Sequence, residues 1–427
     1  MKYNSTRNKE NFYSLQDVAL RPLAPCGGLY MPVTVPHVDM DVIERLSQQS
    51  FADMATYIST LFFGDEVSGD KLFAICHDAF NFPVPLIRMG NTQMYTLELF
   101  HGPTMAFKDF GARFMARMIN ELRGNRKITI LTATSGDTGS AVASGFEDID
   151  GVKVVVLYPK SGVTDFQERQ MTMPRSNVTA LKVDGTFDDC QKMVKDVFAD
   201  TALCDKYNIT SANSISILRW LPQTFYYFYA YQLWKKASGS DSPTVIVPSG
   251  NFGNMTAAVL ATRMGLPLGK IVAACNQNDT MVKYMKTGNY MPQQSVKTIA
   301  NAMDIGNPSN FERLEAMFSN IEIMRKHISI QSFTDAQIKH NIVELREKYR
   351  YLSCPHGATA YGAAVENGMK GFWVSTAHPA KFKEVLSGLS GIEPQFPQSA
   401  ERYINSEKKF TSIAADTKEL KCVLRSI

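Results

Sequence analysis

Residues 127–143, KITILTATSGDTGSAVA, decide the fold of this chain. The first six are mostly β-branched or apolar and predict a strand. Residues 135–140 form a turn rich in Gly, Ser and Thr, and the small apolar residues that follow predict a helix. The same strand–turn–helix order recurs along the chain, which predicts parallel βαβ units and an α/β fold. Such folds bind ligands at the carboxyl ends of their strands, where these polar turns lie.

Other segments repeat this rhythm. Apolar runs predict further strands at 152–158, 178–183, 245–247, 271–275 and 371–376. Helices are predicted at 40–49, 51–63, 188–207, from Trp220 through Trp234, at 255–263, and onward from Pro379. A stretch rich in Gly, Asn, Pro and Gln, 286–310, is interpreted as a mobile connection. We divide the chain into a small, mostly helical N-terminal domain (1–90), an α/β region of two units (91–385) and a C-terminal extension (386–427).

Composition excludes several classes of function. The 427 residues include 45 Lys and Arg and 41 Asp and Glu, and a net charge of +4 without a basic run argues against nucleic-acid binding. No apolar stretch approaches the roughly 18 residues of a membrane span, and the first residues lack a signal core. The seven cysteines and seven histidines show no metal-binding spacing. We expect a cytoplasmic protein, without a metal, that acts on a small molecule.

Two turns have the composition of anion sites. The first, 135–140, carries Ser135 and Thr138 ahead of a helix, whose free N–H groups and positive dipole end favour an anion. The second is Gly250-Asn251-Phe252-Gly253-Asn254. Each turn could equally be an ordinary capped connection between a strand and a helix. Neither is a Walker A loop nor G-x-G-x-x-G, so a nicotinamide oxidoreductase is disfavoured.

Lys108 stands at an unfavourable position for a cation. It follows a Gly-Pro turn, and the spacing of Phe110, Phe114 and Met118 predicts that a helix begins beside it. The helix dipole and apolar neighbours would both lower the pKa of the amine, and a neutral amine forms Schiff bases. The alternative is a lysine that extends from a partly buried helix start to solvent. A Schiff-base lysine and a phosphate cradle together indicate pyridoxal phosphate, with the second cradle left for an anionic substrate.

These segments resemble the threonine synthase family, with motifs in the right order over most of the chain. The resemblance is carried by residues 101–109 (HGPTMAFKD), 135–139 (SGDTG), Asn213-Ser214-Ile215 with Arg219 and Gln223, 250–254 (GNFGN) and 375–382 (STAHPAKF). Residues 3–7 (YNSTR) and 23–30 (LAPCGGLY) are similar to the N-terminal domain of the bacterial and fungal branch.

The resemblance implies a fold type II pyridoxal phosphate enzyme that converts O-phospho-L-homoserine and water to L-threonine and phosphate. Lys108 would then be the Schiff-base lysine. The cofactor phosphate would be held by Gly250, Asn251, Phe252, Gly253 and Asn254, and the pyridine nitrogen would be bonded by Thr376. The substrate phosphate would be bound by Asn213, Ser214 and Arg219, whereas Ser135 and Thr138 would meet the substrate's carboxylate or phosphate.

Other functions remain open at this point. A related pyridoxal phosphate lyase, such as a serine/threonine dehydratase or a phospho-lyase that forms no threonine, would share most motifs. A binding protein that lost its chemistry is disfavoured because Lys108 is present. His356, in a Pro-His pair that departs from the commonest family pattern, is interpreted as a helix-start residue without a catalytic role. The chain is expected to be a monomer or a homodimer.

Overall fold

The computed structural model describes residues 1–390 and 393–426. The strands are β1 (Tyr3–Ser5), β2 (Tyr30–Pro32), β3 (Leu86–Arg88), β4 (Met94–Glu98), β5 (Ile128–Ala133), β6 (Val152–Pro159), β7 (Val178–Asp184), β8 (Ile209–Ser211), β9 (Thr244–Pro248), β10 (Ile271–Cys275), β11 (Ile328–Ser332), β12 (Gly371–Ser375) and β13 (Thr411–Ala414). The α-helices are α1 (Leu15–Leu20), α2 (Met40–Ser47), α3 (Phe51–Phe63), α4 (Gly69–Ala79), α5 (Lys108–Leu122), α6 (Asp137–Gly145), α7 (Asp165–Thr172), α8 (Phe187–Phe198), α9 (Thr201–Tyr207), α10 (Ile217–Trp220), α11 (Phe225–Ser238), α12 (Gly253–Arg263), α13 (Thr280–Thr287), α14 (Phe311–Met317), α15 (Ile321–His327), α16 (Asp335–Tyr349), α17 (Pro355–Glu366), α18 (Lys383–Ser390), α19 (Glu401–Ile404) and α20 (Thr417–Ser426).

Two larger sheets form the α/β part of the molecule. One has six strands in the order β11-β10-β9-β12-β4-β3, parallel except for the antiparallel edge strand β3. The other has five parallel strands in the order β13-β7-β6-β5-β8. Continuous apolar strands such as β10, buried at all five residues, need helices on both faces. The predicted α/β class with two parallel-sheet units and a small, mostly helical N-terminal part is confirmed.

The N-terminal helices follow from strong local signals. The Asp39 carboxylate accepts hydrogen bonds from two N–H groups at the start of α2, and the Ser50 hydroxyl caps α3. Their apolar faces join the core of the α/β part, with the Phe51 ring 5.5 Å from that of Phe110 and 5.4 Å from that of Tyr229. One hydrophobic core therefore extends from the N-terminal helices into the larger sheets.

The structure differs from the sequence prediction at two helices. The helix expected over 188–207 is interrupted, because the Asp200 side chain caps a new helix, α9. The aromatic helix expected through Trp220 and Trp234 is divided by a short 3-10 segment that contains Pro222, whose ring cannot continue an α-helix.

The connection at 286–310 contains one short 3-10 segment and is tied to the six-stranded sheet by side chains. Asp304 accepts hydrogen bonds from Asn276 Nδ2 at 2.7 Å and from Thr298 Oγ1 at 2.7 Å. The mobility of this connection stays a prediction. The predicted C-terminal extension, 386–427, includes 391–392 and 427, which lie outside the described residues. None of the helices in the described ranges combines the length and the apolar character needed to cross a membrane.

Candidate active site

The carboxyl ends of strands from both sheets supply the site. Strand β5 leads into the turn at 135–140 and β9 into the turn at 250–254, while β12 and β8 end just before Thr376 and Ala212 respectively. These are the positions at which parallel α/β folds bind ligands.

Lys108 is the first residue of α5, as the sequence predicted. The preceding loop is fastened to the segment after β12, because Phe107 N–H donates to the Thr376 carbonyl at 2.8 Å and His378 N–H donates to the Met105 carbonyl at 3.0 Å. Met105 has a φ of +58°, in the left-handed region that non-glycine residues rarely occupy. This backbone geometry sets where the lysine emerges and brings Thr376 next to it.

The amine of Lys108 is electrostatically destabilised as a cation. Burial and, to a smaller extent, the nearby Arg219 guanidinium lower its pKa to about 8, against the opposing effect of the Asp137 carboxylate. Its Nζ lies 4.5 Å from the centre of the Phe107 ring, and no residue in the described part of the chain accepts a hydrogen bond or forms an ion pair with it. A substantial fraction of the amine is therefore neutral near pH 8.

The turn at 250–254 is an unpaired N–H nest. The N–H groups of residues 251–255 find no acceptor among the described residues, since the first internal bond of this turn runs from Thr256 N–H to the Phe252 carbonyl. Phe252 has a φ of +60°, which turns successive N–H groups toward one side. A Cβ on Gly250 would lie 2.6 Å from Cα of Met303, so only glycine fits there. The turn can hold an anion such as a phosphate.

The side chain of Asn254, in the first turn of α12, carries a fixed and unpaired donor. Its Oδ1 accepts hydrogen bonds from the hydroxyls of Tyr226 and Tyr227, each at 2.6 Å. Its Nδ2 is buried and has no partner among the described residues. A buried donor held in this way needs an acceptor that the protein does not supply.

The turn at 135–140 is a second cradle. The Thr134 hydroxyl accepts from the N–H groups of Gly136 and Gly139, at 2.9 and 2.8 Å. The N–H groups of Ser135, Asp137 and Thr138, and the hydroxyls of Ser135 and Thr138, have no protein partner within the described ranges. The structure thus leaves both predicted hydroxyls available at the N-terminus of α6.

Asn213 and Ser214 are adjacent in sequence, but their side chains bond to different parts of the protein. The Asn213 amide is occupied within the protein, since its Nδ2 donates to the Ala133 carbonyl at 2.8 Å and its Oδ1 accepts from Thr132 Oγ1 at 3.0 Å. Ser214 Oγ instead accepts from Asn251 Nδ2 at 2.8 Å. Asn213 therefore ties the five-stranded sheet together, whereas Ser214 touches the nest at 251–255.

Arg219 lies beneath the start of α5 and is 2% exposed. Its Nη1 donates to the Ala212 carbonyl at 2.5 Å, and its Nε is buried without a partner among the described residues. A Cβ on Gly111 would lie 2.6 Å from the Arg219 carbonyl, so glycine permits this close packing. Burial lowers the Arg219 pKa to about 10, while Asp109 opposes that change.

Sequence reasoning gave no role to two groups in this neighbourhood. Asp137 and Lys381 form a buried ion pair at 2.8 Å, and Lys381 Nζ also donates to the Thr104 carbonyl at 2.8 Å. His356 is 2% exposed, its Nε2 accepts from Ala302 N–H at 3.2 Å, and burial lowers its pKa to about 4. Lys381 carries a detectable signal, a lysine inside an apolar run, but a partner at position 137 cannot be inferred from it.

The site fits pyridoxal phosphate. The nest at 251–255 and the unpaired Asn254 Nδ2 suit its phosphate, and Lys108 offers an amine of lowered pKa for its aldehyde. The fold and this site define a pyridoxal phosphate-dependent enzyme of fold type II.

Family models agree with that class. Residues 81–372 match the model for pyridoxal-phosphate dependent enzymes, and residues 2–80 match the model for the threonine synthase N terminus. The chain belongs to the threonine synthase family.

Individual relatives are similar over almost the whole chain. The threonine synthase of Serratia marcescens is 39% identical, with 93% of each chain covered. The crystal structure of threonine synthase from Escherichia coli superposes with a TM-score of 0.94 at 35% identity and covers 100% of both chains. A pyridoxal phosphate-bound threonine synthase from Brucella melitensis gives a TM-score of 0.91 at 32% identity, covering 100% of this chain and 99% of that one.

Proposed function

We propose that this chain converts O-phospho-L-homoserine and water to L-threonine and phosphate at the site around Lys108. The observation that carries this proposal is the amine of Lys108, with a pKa lowered to about 8, in a fold that carries two separate N–H cradles at the carboxyl ends of its strands. One cradle suits the phosphate of the cofactor, and the other remains for an anionic amino acid.

Pyridoxal phosphate, when bound, supplies an electron sink that makes the Cα and Cβ protons of a joined amino acid acidic. The residues of the chain then direct which bonds change. Lys108 Nζ, neutral in part near pH 8, removes a proton from Cα of the substrate and carries protons between the reacting carbons. After Cβ loses a proton, the C–O bond at Cγ breaks and phosphate leaves with the bonding electrons. Cγ then takes up a proton, and water adds its hydroxyl at Cβ while Cα regains a proton.

The cofactor is held at its two ends. The N–H groups of 251–255 and Asn254 Nδ2 bind its phosphate, and Gly250 and Gly253 allow the close approach. Ser214 braces that nest through Asn251. Thr376 lies beside the loop that precedes Lys108, and its hydroxyl donates a hydrogen bond to the pyridine nitrogen. A neutral hydroxyl does not enforce protonation of the ring.

The substrate is held by the turn at 135–140 and by the buried guanidinium of Arg219. Ser135 and Thr138, with the free N–H groups of their turn, bind the carboxylate. The guanidinium of Arg219 binds the phosphate through charge-assisted hydrogen bonds. Asn213 contributes by positioning the neighbouring Ser214, because its own amide is bonded to strand β5. The reaction takes place in the cytoplasm, in a monomer or a homodimer.

The products decide between this reaction and its nearest alternative. The purified chain, incubated with pyridoxal phosphate and O-phospho-L-homoserine, should release L-threonine and phosphate in a 1:1 ratio, measured by amino-acid analysis and a phosphate assay. Phosphate accompanied by 2-oxobutyrate instead of threonine would identify a phospho-lyase. Release of 2-oxobutyrate from L-threonine, with no reaction of O-phospho-L-homoserine, would identify a dehydratase.

A further inference from the structure

Arg313, on α14, is a fully buried cation that sequence reasoning did not single out. Its Nη1 donates to the Ser214 carbonyl at 2.8 Å and to Asn310 Oδ1 at 2.5 Å, and its Nη2 donates to the Ile215 carbonyl at 2.8 Å. Its guanidinium carbon lies 4.3 Å from the centre of the Trp220 ring. The guanidinium is thus fixed by three oxygens and one aromatic face.

Among the described residues, no carboxylate pairs with this guanidinium. Arg313 forms no ion pair within the described part of the chain, and the acidic residue that acts on it electrostatically is its neighbour Glu312. That carboxylate faces the N-terminal domain, where it pairs with Arg7 and accepts from Thr6 Oγ1 at 2.9 Å. Burial lowers the Arg313 pKa to about 9. A buried cation held only by neutral groups is destabilising until an anion comes near.

The residues that hold Arg313 also build the phosphate nest. Asn310, which accepts from Arg313, donates through Nδ2 to the Asn251 carbonyl at 2.9 Å and to Ser214 Oγ at 3.1 Å. Asn251 Oδ1 accepts from Ser309 N–H at 2.6 Å. One layer of hydrogen bonds therefore separates the guanidinium from the nest at 251–255.

Arg313 also fixes the orientation of a peptide group. In a trans peptide the carbonyl and the following N–H point in opposite directions. Because Arg313 holds the Ser214 carbonyl, the Ile215 N–H must point away from the guanidinium, and it has no acceptor among the described residues. Arg313 thereby directs the Ile215 N–H outward from the loop at Ser214, which contacts the nest.

We propose that Arg313 is the buried counter-ion of the cofactor phosphate and a positioning residue for the nest at 251–255. It touches neither cofactor nor substrate directly. It acts through Asn310 and Ser214, and its positive charge favours the phosphate dianion across that layer. This inference rests on the proposed role of the nest.

The test separates recognition of the phosphate from general stability. Holoenzymes of wild type and Arg313→Met are dialysed against graded concentrations of pyridoxal phosphate, and the retained visible absorbance gives each dissociation constant. The same titration with pyridoxal, which lacks the phosphate, is the internal reference. Arg263→Met is the matched control, because Arg263 also stacks on an aromatic ring, 5.4 Å from Phe318, at the far end of α12.

We expect Arg313→Met to weaken pyridoxal phosphate binding by about tenfold or more while pyridoxal binding stays within about twofold of wild type. The Arg263 variant should bind both as wild type does. Equal losses for the two cofactors, or no loss for either, would overturn the proposal. Arg313→Gln, which is neutral but keeps two amide donors, gives the same comparison if the methionine variant does not fold. If wild type itself retains no cofactor, the proposed function fails rather than this inference alone.

Discussion

At the scale of the residue, the proposed mechanism depends on an amine placed where a cation is unfavourable. Lys108 begins α5, where the helix dipole opposes a positive charge, and it shares its surroundings with the buried guanidinium of Arg219. The first of these conditions could be predicted from the sequence, because the apolar spacing after Lys108 marks the start of a helix. The second does not follow from residue spacing, since Arg219 arrives from α10, more than 100 residues later in the chain, and only the family resemblance assigned Arg219 to the same site.

The pKa of Lys108 predicts how the apoenzyme reacts with its cofactor. The rate constant for pyridoxal phosphate association, followed by stopped-flow absorbance, should rise about tenfold between pH 7 and pH 9 as the amine loses its proton, and then level off. The reaction of pyridoxal phosphate with a simple alkylamine in the same buffers corrects for ionisation of the cofactor. A rate constant that keeps rising beyond pH 10 would show an ordinary lysine pKa.

At the scale of the element, one buried ion pair joins two halves of the site. Asp137, at the start of α6, meets Lys381 of the 379–382 turn at 2.8 Å, and Gln167 Nε2 also donates to the same oxygen at 2.9 Å. Burial opposes ionisation of Asp137, but Lys381 and the other donors outweigh it, so the pKa of this carboxyl is lowered. The pair holds the turn at 135–140 in register with the segment after Thr376.

Breaking the Asp137–Lys381 pair should lower the free energy of unfolding far more than breaking an ion pair at the protein surface. Lys381→Met leaves a buried carboxylate and should reduce the free energy of unfolding by about 3–5 kcal/mol. Adding Asp137→Asn should recover part of that loss, so a double-mutant cycle measured by urea unfolding should give a coupling of about 1–3 kcal/mol.

The exposed pair of Lys160, which follows β6, and Asp184, the last residue of β7, provides the control, with a coupling of at most about 0.5 kcal/mol expected. Similar couplings for the two pairs would show that burial does not strengthen the Asp137–Lys381 interaction.

The elements themselves were predictable to different degrees. Strand β10 and helix α3 appear where the sequence placed them, because an apolar run or a capped amphipathic pattern is a local signal. The break at Asp200 depends on whether one side chain caps a new helix, and the spacing of apolar residues does not predict this. The proposed role of Arg313 could not be predicted, because its spacing on α14 is that of any helical residue and two of its three oxygen partners, the carbonyls of Ser214 and Ile215, lie far earlier in the chain.

At the scale of the whole molecule, the N-terminal helices and the α/β part share one hydrophobic core. The ring of Phe51 lies 5.2 Å from that of Phe80 and 5.5 Å from that of Phe110, and Phe63 lies 5.7 Å from Phe114. The contact of Glu312 with Arg7 joins the segment that follows β1 to α14. The N-terminal part therefore supports the helix that begins with Lys108.

This shared core predicts one cooperative unfolding transition. Phe51→Ala should destabilise the entire chain by about 3–5 kcal/mol and lower the temperature of a single calorimetric transition. Phe12→Ala, at a side chain that is 60% exposed, should leave that temperature nearly unchanged. A separate transition that moves alone in the Phe51 variant would show that the N-terminal part folds independently.

The absorption spectrum of the purified chain tests the central claim, that Lys108 and its two cradles form a working site. Wild type with pyridoxal phosphate should show a visible band that changes when O-phospho-L-homoserine is added, together with release of L-threonine. Lys108→Ala should lack the band of the protein-bound cofactor and produce no threonine. Threonine formation by Lys108→Ala, or a wild-type spectrum that does not respond to O-phospho-L-homoserine, would contradict the account.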